Sequence, residues 1–268
     1  DCTFCKFPNN GMTGSPIMTN TTESLYNSTA QRWKRKAPNS LSDYTARPRV
    51  FDLCGDVSNR SIVDLGSGEG YCARELAQRG AQSIEGIELS SQMVELAKSQ
   101  QVTHDNIIHY QTGTVTDLPY TDASFDIALG VFVYNYLHVA EVYQSFADVY
   151  RVLKKGGEFI FSVPHPSFPF IKRQLSKPFY FDVENNGYFS SRDILSSGEI
   201  FCRDGTSLSV QMIPKTLEDY FGALSQAGFN SLPEIVELGV TEDMLKLDKD
   251  FFTPVNDIPL HLAIKIKK

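Results

Sequence analysis

Three glycines spaced two residues apart, Gly66, Gly68 and Gly70, follow directly on the apolar run 62–65 and precede a helical pattern that starts at Tyr71. A buried strand that turns through glycines into a helix brings bare backbone N–H groups and the positive end of a helix dipole to the carboxyl edge of a sheet. Open α/β folds bind anionic or nucleotide-like ligands there. Glu88 lies 18 residues past Gly70, closing the next apolar stretch 84–88. A carboxylate at that place can accept both hydroxyls of a ribose, and the lack of a basic residue beside it argues against a 2′-phosphate. A dinucleotide fingerprint would put its third glycine where Tyr71 stands, which disfavours NAD. A glycine turn can also serve only to let a helix pack closely on its strand. The pairing of this turn with Glu88 at that distance favours a ligand.

Periodicity gives the elements that must hold these residues. Strands over 61–65, 83–88, 107–111, 125–130 and 158–163 alternate with helices over 71–79, 91–100 and 141–153, which predicts a parallel sheet covered on both faces. Lys154, Lys155, Gly156 and Gly157 are expected to close the last of these helices, because cations and glycine suit a helix C-terminus. Upstream, Leu25, Tyr26, Ala30 and Trp33 fall at helical spacing within 23–36, and a second short helix is expected around 48–54. Residues 1–21 are rich in Asn, Gly, Thr, Ser and Pro without periodicity and read as a flexible arm. Past Val163 the pattern breaks. Residues 164–215 carry many aromatics, prolines and glycines, with strand-like pieces near 188–189 and 207–212, and read as a cap over the site. A helix over 216–227, opened by Thr216 and ended by Gly228, and strands near 234–238 and 261–267 complete the chain.

The chain has 268 residues, 41% of them hydrophobic, enough for a large core. Its 25 Lys+Arg against 32 Asp+Glu leave a net charge of -7, the wrong sign for gripping a phosphate backbone over a broad face, so no nucleic-acid partner is expected. The longest apolar run, 127–133, falls far short of the roughly 20 residues of a membrane-spanning helix, so a soluble protein with no membrane span is expected. Five scattered cysteines suit a reducing compartment, the cytoplasm or an organelle interior. Cys2 and Cys5 form one CxxC without a second pair, and no metal centre is expected. The chain starts at Asp1, consistent with removal of a targeting segment. Asn20, Asn27 and Asn59 each head a glycosylation tripeptide, a pattern short enough to arise by chance. Oligomeric state stays open.

Four segments resemble the motifs of one family. Val63-Asp64-Leu65-Gly66-Ser67-Gly68-Glu69-Gly70 is similar to motif I of class I S-adenosylmethionine-dependent methyltransferases, and Gly86-Ile87-Glu88-Leu89-Ser90 with Met93 resembles the family's acidic loop. Leu118-Pro119-Tyr120 through Ser124-Phe125-Asp126-Ile127 resembles its fourth-strand motif, and Arg151-Val152-Leu153-Lys154-Lys155-Gly156-Gly157 its fifth-strand lead-in. The likeness covers 61–163 strongly and the rest loosely, and is greatest to the branch that methylates small molecules. It implies a Rossmann-like, doubly wound seven-stranded sheet, mostly parallel with an antiparallel last strand. It also implies one methyltransferase domain over 22–268: a helical lid over 22–60, a cofactor-binding core over 61–163, a cap insertion over 164–215, and a C-terminal helix and strands over 216–268. The cofactor would be S-adenosyl-L-methionine, the product S-adenosyl-L-homocysteine and the partner a small-molecule methyl acceptor.

By the same resemblance, Asp64, Gly66, Ser67, Gly68 and Gly70 would line the methionine and ribose part of the cofactor, and Glu88 would hold the ribose hydroxyls. Leu89 and Met93 would pack near the adenine, Gly130 with Val131 would meet the methionyl end, and Tyr26 would reach over from the lid. Where the family often has Gly-Asp-Ala, with the Asp touching the adenine amine, this chain has Gly113-Thr114-Val115, so Thr114 or Asp117 would have to serve.

Methyl transfer from a sulfonium is an in-line displacement in which the protein supplies mainly positioning and desolvation. A hydroxyl or ammonium acceptor gains from a general base, whereas a thioether or thiolate needs none. Candidates come from the loops after the fourth and fifth strands: Tyr134 and Asn135 to orient an acceptor, and His165, held between Pro164 and Pro166, as the base. His138 is expected on a helix surface. Phe168, Phe170, Phe179, Tyr180, Phe181, Tyr188 and Phe189 either wall an apolar pocket or form the cap's own core. The alternative function is a methyltransferase-like binding or assembly subunit with little turnover, a reading the intact glycines and Glu88 weigh against.

Overall fold

In the computed structural model, which describes residues 19–33, 38–101, 106–171, 179–183 and 186–268, Tyr26, Ala30 and Trp33 share one side of helix α1 (Thr19–Thr29) and the 3₁₀ turn Ala30–Trp33 that continues it. The expected CxxC at Cys2 and Cys5 and the arm up to residue 18 lie outside the described residues. Two short helices follow, α2 (Leu41–Thr45) and α3 (Arg47–Cys54). Alternation then begins with β1 (Ser61–Leu65), α4 (Tyr71–Gln78), β2 (Ser83–Glu88), α5 (Ser91–Gln100), β3 (Ile108–Thr112), β4 (Phe125–Val131), α6 (Val139–Val152) and β5 (Leu153–Pro164). The cap contributes β6 (Phe179–Phe181), β7 (Ser196–Phe201) and β8 (Ser207–Met212). The chain closes with α7 (Leu217–Ala227), β9 (Glu234–Leu238), α8 (Glu242–Leu247), α9 (Lys249–Phe252) and β10 (His261–Lys267).

Seven of these strands form one sheet in the order β3-β2-β1-β4-β5-β10-β9. Pairings are parallel from β3 to β5, while β10 runs antiparallel to both β5 and β9. Successive β1 side chains face opposite layers and both are apolar, as a strand covered on both sides requires. Val63 and Leu65 pack with Phe146, Val149 and Tyr220 of α6 and α7. Ile62 packs on the other side with Val50, Leu76 and Val94 of α3, α4 and α5. The strand order reverses between β1 and β4, and at such a switch point the carboxyl ends of the strands open a crevice.

Helix ends carry the chemistry their sequence suggests. Ser90 opens α5 by accepting from Met93 N at 3.1 Å, and Thr216 opens α7 by accepting from Asp219 N at 3.2 Å. Gly228 ends α7 at φ 109°. The Lys154–Gly157 stretch differs from expectation. Helix α6 stops at Val152, and the lysines and glycines already belong to β5, where the register with β4 shifts between Phe125 and Ile127. Lys154 is tied to Asp126 there at 2.8 Å, and Gly156 takes φ 78° within that irregular stretch, so the glycines do not close α6.

The cap also differs from its outline. Its three strands form a separate antiparallel sheet in the order β6-β7-β8, while residues 188–189 lie in a turn. Tyr188 is occupied in accepting Leu217 N at 3.1 Å, which fixes it to the start of α7. Among the described residues no helix is long and apolar enough to cross a membrane.

Candidate functional site

The glycine turn after β1 lies across the end of β2. Gly66 N and Ser67 N both donate to Ile87 O, at 2.8 and 3.0 Å. Glu88 reaches back from β2, its Oε2 accepting from Gly68 N at 3.0 Å and its Oε1 from Ser90 N at 2.9 Å. Burial pushes the Glu88 carboxyl above the usual carboxylate range, against the pull of these backbone amides. Gly66 sits at φ 68°, and a Cβ on it would stand 2.7 Å from Val133 Cγ2, so neither the backbone nor the space admits a side chain. Asp64 is 1% exposed, and its Oδ2 has no hydrogen-bond partner. Burial, and then the negative charge of Glu88, push its carboxyl up to about 7. Glu69, inside the turn, accepts from Arg74 Nη2 at 2.5 Å and Gln100 Nε2 at 2.9 Å, which pins the loop to α4 and α5.

Above this turn opens a cavity of about 1500 Å³, counting the solvent at its mouth. Asp64, Gly66, Ser67, Gly68, Glu88, Leu89, Met93, Thr114 and Val115 line one side, which the switch between β1 and β4 brings together. Tyr26 joins them from α1, its hydroxyl donating to Tyr136 Oη at 2.5 Å. Asn27, one residue on, accepts from Ser90 Oγ at 2.6 Å and so seats α1 on the start of α5. Thr114 bonds Thr116 Oγ1 at 2.8 Å, and the exposed Asp117 lies outside the lining. Asn135 lines the cavity, is 3% exposed, and carries an Oδ1 without a partner.

Four residues expected at the site point elsewhere. Gly70 caps α4 at φ 83° against the Tyr110 hydroxyl, and the Cβ position of Gly130 is filled by the Tyr134 ring. Tyr134 is fully buried among Phe146, Phe159 and Phe161, with Ser145 Oγ on its hydroxyl at 3.5 Å. His165 is also buried. Its Nδ1 accepts Ser167 N at 3.2 Å and its Nε2 lies 2.9 Å from Glu237 Oε1, away from the cavity lining. His138 pairs with Asp193 at 3.0 Å at the start of α6. Of the cap aromatics whose side chains are described, only Phe181 lines the cavity; Phe168 shares its buried cluster, Tyr180 bonds Glu199 and Phe189 is 78% exposed. The Phe179 side chain lies outside the described residues.

Sequence reasoning did not single out Arg47, Phe132 and His261, all of which line the cavity. Arg47 Nη1 donates to Ser42 Oγ at 2.6 Å and Asp43 Oδ1 at 2.9 Å, its guanidinium lies 5.4 Å from the Phe132 ring centre, and its buried Nε has no partner. Phe132 holds φ 58°, a conformation costly outside glycine, at the end of β4. His261 bonds Thr45 Oγ1 at 2.9 Å, and burial, then the positive Arg47, press its imidazole down to about 3, so it is neutral near pH 7. The one local trace of this group is the four-residue spacing of Asp43 and Arg47.

Residues 63–161 match the methyltransferase domain family. A demethylmenaquinone methyltransferase of Tropheryma whipplei is 30% identical over 159 residues, which are 58% of this chain and 62% of that one. A ubiquinone/menaquinone biosynthesis C-methyltransferase of Geotalea daltonii is 36% identical over 116 residues, 40% of this chain and 47% of that one. The matches thus span less than two thirds of these relatives. The crystal structure of an S-adenosylmethionine-dependent methyltransferase from Mesorhizobium loti superposes with a TM-score of 0.61 at 21% identity, covering 82% of this chain and 96% of that one, which places the fold. The chain thus carries, over residues 63–161, a stretch that matches the methyltransferase domain family, set on the seven-stranded sheet described above.

Proposed function

We propose that this chain binds S-adenosyl-L-methionine in the glycine-turn side of the cavity and passes its methyl group to a small molecule on the other side. The observation that carries this reading is the pair of unsatisfied acceptors beside the turn: Asp64 Oδ2 and Ser67 Oγ are buried without partners next to a Glu88 carboxylate held rigid by two amides. Buried polar groups are seldom left unpaired, and a ligand rich in donors answers them. The cofactor, when bound, would supply a methyl activated on a sulfonium, the carbon–sulfur bonding pair staying on sulfur while the acceptor provides the pair for the new bond.

Each residue then has a task set by its own chemistry. Glu88 accepts the two ribose hydroxyls. Asp64, pushed up to about 7 while alone, regains an ordinary ionised state beside the ammonium of the methionyl group. Arg47, with its free Nε, faces the carboxylate of the same group. Met93 and Leu89 cover the base, and Tyr26 closes over it from α1. Asn135 orients the acceptor. Calorimetric titration with S-adenosylhomocysteine tests the reading. Micromolar binding that falls sharply in Glu88→Ala is expected, and no binding at high micromolar concentration overturns it. Incubation with methyl-labelled cofactor and extracts of the source would then identify the product.

A further inference from the structure

Besides the glycine turn, the cavity has an apolar wall. Leu41, Phe181 and Val210 are buried members of a single apolar cluster on which Trp33 and Ile200 pack, and all five line the cavity. They come from the lid, from α2 and from the three cap strands, so this surface is assembled only when those segments meet. Asn135 supplies its polar feature. Its backbone oxygen accepts Ile213 N at 2.7 Å, which fixes it to the end of β8, while its side-chain Oδ1 is buried with no partner.

Charge narrows the occupant further. Arg47 is the cation of the described lining, its Nη1 held by Ser42 and Asp43 and its Nε assigned above to the methionyl carboxylate. His261 is neutral near pH 7. Glu23 and Glu141 also line the cavity, so an anionic head would meet carboxylates and find no spare cation. A cationic head would stand beside the sulfonium across the cavity.

On the reading above that the glycine turn holds the methyl donor, we propose that the acceptor is a neutral molecule with an apolar body and an O–H or N–H group, which it donates to Asn135 Oδ1. The apolar body buries against Trp33, Leu41, Phe181, Ile200 and Val210, where release of water from apolar surface drives binding. The donor satisfies an acceptor that is otherwise unpaired.

The chain reports on this site by itself, because Trp33 is its only tryptophan. The protein saturated with sinefungin, an unreactive cofactor analogue that carries an ammonium where the sulfonium would stand, is titrated with four probes that share one body: 2-naphthol, 2-methoxynaphthalene, 2-naphthyl phosphate and 2-naphthylmethylammonium. Trp33 emission and calorimetry follow binding. The expected result is saturable binding of 2-naphthol, with 2-methoxynaphthalene weaker by about fivefold for the lost hydrogen bond, and both charged probes weaker still. In Ile200→Lys, 2-naphthol affinity should drop by about tenfold or more for a charge set in an apolar wall, with S-adenosylhomocysteine affinity unchanged as the sign of an intact fold. In Asn135→Leu the first two probes should bind alike. Equal affinity of 2-naphthol and its methyl ether in the unaltered protein overturns the proposal, as does tighter binding of either charged probe; both comparisons need no variant. Binding of S-adenosylhomocysteine without binding of 2-naphthol overturns this proposal alone. Binding of 2-naphthol without S-adenosylhomocysteine overturns the cofactor reading instead.

Discussion

The two sides of the cavity are made of different materials. On the glycine-turn side the surface is backbone: Gly66, Ser67 and Gly68 spend their N–H groups on Ile87 O and Glu88, and Gly66 lies at a φ that side chains rarely adopt. On the cap side the surface is side chain, contributed by segments as distant as Leu41 and Val210. A backbone surface has one shape and admits no substitution that adds a Cβ. An apolar wall tolerates exchanges of similar volume and so can change its guest without losing its fold. On the proposed reading donor binding and acceptor choice are separable in this chain, and each substitution below presses on one side.

The largest effect should come from Gly66→Val. The new Cβ would stand 2.7 Å from Val133 Cγ2 at φ 68°. A left-handed backbone costs a residue with a side chain roughly 1–2 kcal/mol, and overpacking adds about 1–3 kcal/mol. Calorimetry should find S-adenosylhomocysteine affinity reduced by about a hundredfold or more, in keeping with that sum. Native affinity in this variant would mean that the turn is not what shapes the donor side. Glu88→Gln comes next. It keeps the shape but gives Gly68 N and Ser90 N one acceptor oxygen instead of two, and removes the charge that the proposed reading offers to the ribose. A hydrogen bond to a charged group is worth about 1.5–3 kcal/mol, so affinity should fall about 10- to 100-fold.

The same difference in material decides what could be read from the chain. Gly66, Gly68 and Glu88 declare themselves because strand, turn and carboxylate are consecutive elements, and Thr216 declares its helix because a cap bonds only three residues ahead. Asn135 and Tyr134 are neighbours with opposite fates, one in the cavity and one in the aromatic core, and only the direction in which the chain leaves β4 separates them. His165 sits in a proline-fixed turn as expected, yet its ring goes to Glu237 because β9 lies beyond β10 in the sheet order, which no local pattern encodes. Arg47 was silent for the same reason: its significance lies in Phe132 and the cavity, reached only through tertiary packing.

Asp64 sharpens the donor side by pH. Its native carboxyl titrates near 7 against about 3.9 unfolded, so the folded chain holds that proton more tightly and the free protein should lose stability as pH rises from about 4 to 7. An ammonium beside the carboxylate reverses the burden, and binding then favours the ionised form. S-adenosylhomocysteine affinity should rise about tenfold from pH 6 to pH 8 and level off above, while Asp64→Asn should flatten the profile. A profile that is already flat in the unaltered protein would remove Asp64 from the methionyl contact.

The smallest change at the cofactor is expected from Val210→Ala on the cap side. Val210 is 3% exposed and packs with Leu41 and Phe181, so losing two methyl groups leaves a small cavity at a cost of about 1–3 kcal/mol. For a domain of this size each kcal/mol moves the melting temperature by roughly 2–4 °C, which a thermal melt resolves. Because Val210 belongs to β8 of the cap and not to the glycine turn, S-adenosylhomocysteine affinity should stay within about twofold, less than one neutral hydrogen bond is worth. The guest should feel what the cofactor does not, since the lost methyls leave part of its apolar body facing a gap. If donor affinity drops as far as 2-naphthol affinity does, the wall and the turn are one cooperative unit, and the acceptor cannot be changed without disturbing the donor.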